Sequence, residues 1–481
     1  MPNAKPRSLK VNAVLNGIKQ SCSILFPLIT FPYISRVLGS DGYGKYSFSF
    51  SITYYFILLA ALGISTYAIR EGAKIRDDQE KISGFCSEVF SINVLSLLFS
   101  YALLISLILA NTKVRSYAPY ILIQSSAMIM ATIGTDWINS IYEDYLYITV
   151  RYIVVQLLAL IAMFVFVRTP DDLWKYCIIA TLATNGGNLI NIFYVRKRVH
   201  LKFLFHMNIR KHIAPLLILF VNALAISVYV NSDVTMLGFF ADDKAVGIYS
   251  FSSKIYNILK QLVNAIIVVS IPRISYVLAN KPEEYKSYLQ NIFNFLSLFL
   301  FPLVVGMLTM SREIIYIAGG EQYLDGTLSL QILSVATIFA IYSSLFTNCV
   351  LIVNRQEKKC LQATIISALI NVGLNFVFIP LMGMNGAAIT TVIAELINCV
   401  MQVTFARKLY DFRELNIKPI LPSLLGSVLI FVVCILVKSV ITSYIPCFVV
   451  AVVASVVVYF GVVLIFNKNY VLDTFRKVLK K

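Results

Sequence analysis

The sequence predicts an all-α integral membrane protein with about 14 transmembrane helices, and two observations carry that prediction. The first is composition: of 481 residues, 58% are hydrophobic and 14% are charged, against roughly 25% charged in a soluble domain. The second is spacing, because apolar runs recur along the whole chain at the length of about 20 residues that crosses a bilayer. Only short connections remain between them, which excludes a sizeable soluble domain.

Apolar stretches bounded by charges, Gly, Pro and Asn place spans near 11–34, 46–68, 86–110, 118–136, 152–168, 175–195, 213–238 and 248–270. Further spans fall near 289–310, 326–353, 361–381, 384–406, 420–437 and 444–466. The first follows Lys5, Arg7 and Lys10, contains Lys19 and has no small-residue cleavage site after a short apolar core. It is therefore expected to be a retained helix rather than a signal peptide.

The loops carry an orientation signal. With the N-terminus in the cytoplasm, 29 of the 41 Lys and Arg fall inside, nine fall outside, and Lys19, Lys254 and Lys260 remain within spans. This bias in short loops predicts that both termini are cytoplasmic. Most of the net charge of +17 then lies on loops facing an anionic leaflet, so no nucleic-acid partner is expected.

An internal repeat orders the spans. Leu38-Gly39 followed by Gly44-Lys45-Tyr46-Ser47-Phe48-Ser49 recurs as Leu237-Gly238 followed by Gly247-Ile248-Tyr249-Ser250-Phe251-Ser252, and the shared string G-x-Y-S-F-S is offset by 203 residues. Each copy opens the second helix of a six-helix set after a tight outer turn, where glycine accepts positive φ. Both copies face outward and lead into an inward helix, which implies two lobes related by a pseudo-twofold along the membrane normal. The expected organisation is an N-lobe at 1–200, a C-lobe at 201–410, and two added helices with a basic tail at 411–481. Like-oriented lobes with substrate between them suit a carrier that works by alternating access.

Ionisable side chains within spans need a partner or a hydrated cavity. Five stand out: Lys19, Asp233, Lys254, Lys260 and Glu395. At about 1.5 Å rise per residue, Asp233 and Lys254 lie at similar depths on neighbouring spans, and Lys260 and Glu395 both lie near the midplane. Each pair could meet. Lys254 and Lys260 are six residues apart, about 240° around a helix, so they face different ways and one is expected to be structural. Lys19 has no acid in its own span and requires either an acid from another helix or an anionic ligand.

Asn12, Asn16, Lys19, Gln20 and Ser23 share one face of span 1 and could line a cationic, hydrated cavity. Such a cavity suits an amphiphile with an anionic head and a greasy tail. Sugar hydroxyls would need donors, acceptors and aromatic faces, for which Tyr46, Tyr54, Tyr55, Tyr249 and Tyr256 are available.

Other chemistries lack their residues. His200, His206 and His212 cluster around one basic loop, so neither a buried histidine relay nor a zinc site is expected. No P-loop occurs, and Asp77-Asp78, Asp171-Asp172 and Asp242-Asp243 read as solvated turns. The eight cysteines form no CxxC pair and read as small core residues. No metal and no cofactor is expected.

Four stretches resemble the Wzx-type polysaccharide flippases of the multidrug/oligosaccharidyl-lipid/polysaccharide exporter superfamily. The first is Phe31-Pro32-Tyr33-Ile34-Ser35-Arg36-Val37-Leu38-Gly39 with Gly42-Tyr43-Gly44-Lys45-Tyr46, and the second runs from Thr135-Asp136-Trp137 through Tyr142-Glu143-Asp144 to Arg151. The third spans Tyr229, Asp233, Met236-Leu237-Gly238, Val246-Gly247-Ile248-Tyr249, Lys254-Ile255-Tyr256 and Pro272-Arg273-Ile274-Ser275, and the fourth joins Gly383, Gly386-Ala387-Ala388 and Glu395.

The resemblance implies a carrier that moves an undecaprenyl-pyrophosphate-linked oligosaccharide from the inner to the outer leaflet of a bacterial plasma membrane. It implies that Lys19 and Lys254 meet the diphosphate, with Lys260 and Arg273 as further headgroup candidates. Spans 13 and 14 would help bind the lipid tail. Asp233, Glu143 and Glu395 become candidates for coupling to H+ or Na+. A polysaccharide polymerase and a chain-length regulator are candidate partners. Two rivals remain open: a cation-coupled drug or metabolite exporter of the same superfamily, and a membrane-embedded glycan polymerase.

Overall fold

A chain in hydrocarbon must satisfy its backbone polar groups internally, and a helix does so within one segment. The computed structural model accordingly contains helices and turns and no strand among the described residues. It describes residues 9–410, 416 and 418–479, with side chains described from 11 to 466 except at 13 and 24. Lys5, Arg7, Arg413, Lys480 and Lys481, counted above as cytoplasmic charges, lie outside the described residues.

Two compact units divide at Gly247/Ile248. The first contains α1 (Leu9–Ala61), α2 (Ile64–Gly72), α3 (Gln79–Ala110), α4 (Thr112–Ser116), α5 (Ala118–Gly134) and α6 (Trp137–Ile141). It continues with α7 (Tyr145–Phe166), α8 (Leu173–Asn185), α9 (Gly187–Val195), α10 (Ile209–Phe240) and the first residues of α11 (Asp243–Asn280). The second unit holds the rest of α11, then α12 (Pro282–Thr309), α13 (Ser311–Gly319), α14 (Thr327–Phe346), α15 (Glu357–Ala406), α16 (Leu421–Val440) and α17 (Tyr444–Leu479). The compact units therefore join α10 to the elements that precede it.

Among the described residues, eleven helical segments are long and apolar enough to cross a membrane. Two of these contain a break at a left-handed glycine, Gly39 (φ 72°) in α1 and Gly383 (φ 58°) in α15, so each supplies two rods. Together with the shorter apolar α5 they provide the fourteen crossings that the sequence predicts. The outer turn expected before Ser40 is thus a single residue, because Gly39 has no Cβ to oppose positive φ.

Helix starts follow local chemistry. Asp78 caps α3 by accepting from the Lys81 N–H at 3.1 Å, and Asn111 caps α4 by accepting from the Val114 N–H at 3.0 Å. Such caps each satisfy one of the orphan donors of a first turn. Several helices run past the expected span, most clearly α11, which continues to Asn280 and carries Arg273 on its last turns.

Packing is built unit by unit. In the first, Trp137, Ile138 and Ile141 of α6 bury against Ile64, Tyr67 and Phe85, with Val195, Val199 and Leu216 completing the cluster. In the second, α16 and α17 pack on α12 and α13 through Leu298, Met310, Cys434, Cys447 and Tyr459. All eight cysteines are free, seven of them buried, in agreement with a core role.

Candidate functional site

In the first unit, Lys19 lies on the first rod of α1 beside α7. Thr149 Oγ1 donates to the Leu15 carbonyl at 3.2 Å, and Lys19 Nζ stands 5.8 Å from the centre of the Tyr152 ring. Lys19 is half-buried, and among the described residues no carboxylate pairs with it. A cation–π contact supplies about 0.5–2 kcal/mol, less than the several kcal/mol that an uncompensated ammonium costs in hydrocarbon. Lys19 therefore retains unused capacity for an anion. Of its stripe, Asn12 is buried, Ser23 is half-buried, and Asn16 and Gln20 are exposed. The Asn12 Oδ1 atom is buried without a hydrogen-bond partner.

The other first-unit candidates are differently placed. Tyr46 sits in an aromatic group, 5.9 Å from the Phe50 ring and 4.6 Å from Tyr176. Asp233 is buried on α10 and is not without a partner. Glu143 stands between α6 and α7 at φ 56° and pairs with Arg76 at 2.7 Å. Its neighbours are held the same way, Asp136 by Arg151 and Asp144 by Arg198, both at 2.6 Å. Three arginines thus fasten the connection from α5 to α7, and Glu143 belongs to that network.

In the second unit, α11 carries two polar stripes about 100° apart. One joins Ser250, Lys254, Asn257 and Gln261. Lys254 is half-buried and has no acceptor among the described residues, and the buried Ser250 Oγ one turn earlier has none either. The other stripe joins Tyr249, Tyr256 and Lys260. Lys260 Nζ lies 3.4 Å from Glu395 Oε1 and 3.2 Å from the Tyr256 hydroxyl, while that hydroxyl donates to Glu395 at 3.0 Å. Tyr249 is buried, its hydroxyl 3.3 Å from Thr391 Oγ1. Tyr249 and Tyr256 both have their hydroxyls engaged within the unit. Arg273 is exposed beside the Tyr276 ring at 5.6 Å.

Sequence reading missed three groups. His212, expected with the other histidines at a basic loop, is fully buried one turn inside α10, with Nε2 2.9 Å from Glu88 and Nδ1 2.7 Å from the Tyr67 hydroxyl. The available signal was Leu216, four residues on and equally buried, which puts both on one face of the helix. Lys438, expected in an outer loop, pairs at 2.9 Å with buried Glu313. Asn371 and Asn375 of α15, one turn apart, meet across the Gly383 break with Thr390 of the same helix. No group of three metal-ligating side chains occurs among the described residues.

The apolar crossings found among the described residues make this a multi-pass membrane protein, and its sequence carries an internal repeat. Residues 9–278 match the family described as polysaccharide biosynthesis protein, more than half of the chain, and the chain belongs to that family. It is similar to the candidate O-antigen transporter of Escherichia coli (strain K12), 25% identical over 411 residues that cover 84% of this chain and 98% of that one. Its fold is similar to that of the lipid II flippase MurJ in an inward closed conformation, with TM-score 0.69 at 17% identity over 93% of this chain and 100% of that one. An inward-facing multidrug-resistance MATE transporter of the MOP superfamily gives TM-score 0.63 at 14% identity over 83% and 98%. The chain is thus a multi-pass membrane protein of the polysaccharide biosynthesis family with a fold like those of MurJ and the MATE transporters.

Proposed function

We propose that this protein flips an undecaprenyl-pyrophosphate-linked oligosaccharide from the inner to the outer leaflet for assembly of a cell-surface polysaccharide, by alternating access. The observation that carries this reading is the pair of lysines, Lys19 and Lys254, that lie in apolar spans with no carboxylate on either among the described residues. A phosphate-bearing headgroup offers the negative charge that each of them lacks. Lys260 takes a structural part, since Glu395 already neutralises it. Arg273, exposed two turns before the end of α11, receives a headgroup in this reading rather than holding it within the span.

The coupling ion, H+ or Na+, acts through the buried carboxylates Asp233 and Glu395. Glu143, fastened to Arg76, instead steadies the connection ahead of α7. The rival reading, export of cationic drugs, calls for an uncompensated acid, and the Lys260–Glu395 pair counts against it at that position.

Lys19→Ala and Lys254→Ala should each lower surface polysaccharide at least tenfold while the membrane content of the protein stays unchanged. Arginine at either position should restore part of it. Unchanged export in both alanine variants would remove the diphosphate role. Reconstitution with the native lipid-linked glycan, read as headgroup accessibility on the far leaflet, tests the activity directly.

A further inference from the structure

Between α9 and α10 the chain crosses one end of the first unit by residues 196–208. No Asp or Glu occurs anywhere from 173 to 232, whereas Arg196, Lys197, Arg198, Lys202, Arg210 and Lys211 crowd into sixteen positions. Arg198 is spent on Asp144. The other five are exposed.

The connection does not hang free. Ser87 and Ser91, one turn apart on α3, receive it through their side chains: the Lys202 N–H donates to Ser87 Oγ at 3.2 Å and the Leu204 N–H to Ser91 Oγ at 2.8 Å. Gln79 Nε2 donates to the Arg198 carbonyl at 2.7 Å. Val199 and Leu201 pack into the core cluster below α6. These bonds run the segment alongside the first turns of α3. Beyond them, Phe203 and Phe205 project as an edge-to-face pair with ring centres 5.0 Å apart, and Phe205 is 87% exposed.

Depth follows from α3 itself. Its 32 residues extend about 48 Å at 1.5 Å per residue, well beyond the roughly 30 Å of hydrocarbon. The polar residues Gln79, Glu80, Lys81 and Glu88 all lie in its first ten positions. Counting back about 20 residues from Ala110 therefore sets the hydrocarbon boundary at Ser91. Ser91 is the residue that holds Leu204, so the two phenylalanines sit at the level where headgroups meet acyl chains.

We propose that residues 196–211 form a lipid-docking surface, in which Phe203 and Phe205 enter the headgroup–acyl boundary while Arg196, Lys197, Lys202, Arg210 and Lys211 bind the phosphates of anionic lipids. An apolar tip inside a cluster of cations free of acid is the pattern of an interfacial anchor. Each cation near an anionic surface adds to the attraction. A solvated loop would gain nothing from an exposed aromatic pair.

The test uses the full chain in lipid nanodiscs with Phe205→Trp, read against the unaltered protein so that the emission of Trp137 and Trp174 subtracts out. The added emission should be blue-shifted, shielded from acrylamide, and quenched by brominated lipids. Quenching should be at least twofold stronger for brominated phosphatidylglycerol than for brominated phosphatidylcholine in mixed discs. Lys202→Ala combined with Arg210→Ala and Lys211→Ala should remove that preference and leave some quenching. Emission that stays at the wavelength of water-exposed tryptophan and open to acrylamide overturns the proposal. So does equal quenching by the two lipids, or a shift produced only by a soluble acidic protein.

Discussion

Glu395 is 4% exposed and Lys260 touches it. Removing one partner of a fully buried pair costs roughly 3–5 kcal/mol. Because the Lys260 side chain is 27% exposed, Lys260→Ala should cost less, about 2–3 kcal/mol. Adding Glu395→Gln should recover most of the loss, since a neutral amide still accepts from the Tyr256 hydroxyl. Thermal unfolding in detergent reads both variants, and an unaffected single variant would refute the pair's structural role. The contact was legible in the sequence, because helix rise sets Lys260 and Glu395 at one depth. His212 was not. Its polar neighbours in sequence suggest a loop, and only the approach of α3 and α2 supplies the Glu88 and Tyr67 that make its burial tolerable.

The repeated string becomes a contact at the level of helices. Gly44 of α1 and Gly247 of α11 approach so closely that a Cβ on Gly44 would stand 1.8 Å from the Asp243 carbonyl oxygen, and one on Gly247 would stand 1.8 Å from the Ser40 oxygen. The relation is reciprocal, each glycine meeting the residue four positions before the other. Gly44→Ala and Gly247→Ala should therefore each destabilise by about 3 kcal/mol or more, the upper end of overpacking. Gly306→Ala in α12, where nothing lies within 4 Å of the added carbon, should instead stabilise by about 0.5–1 kcal/mol. Folded yield after purification and the thermal midpoint separate the two cases. The other members of the string are equally matched: Phe48 packs on Tyr117 with ring centres 4.9 Å apart and Phe251 on Tyr323 at 4.2 Å. Sequence alone supplied the string and its glycines. It could not supply the partners, because Tyr117 and Tyr323 carry no recognisable motif.

Across the whole molecule, charge asymmetry makes a prediction about topology. If 29 of 41 basic residues mark the cytoplasmic side, a cysteine at exposed Asn280 should label only after the cells are opened, and one at exposed Ser116 should label in intact cells. A Cys22→Ser background removes the one native cysteine that is not buried. The reverse pattern would invert the chain in the membrane and overturn the expectation that both termini are cytoplasmic.

The sequence by itself determined the class, the number of crossings and the repeat, because hydrocarbon dictates helix length and composition whatever the neighbours are. It also marked Lys19, Asp233, Lys254, Lys260 and Glu395 as intramembrane charges in need of a partner or a hydrated cavity. Tertiary structure decided which ionisable groups already have one: Glu395 holds Lys260, Glu313 holds Lys438, and arginines hold Asp136, Glu143 and Asp144. Depth along a helix is a local quantity fixed by residue number. The azimuth at which two helices face each other is set by packing over the whole unit, and no stretch of sequence contains it.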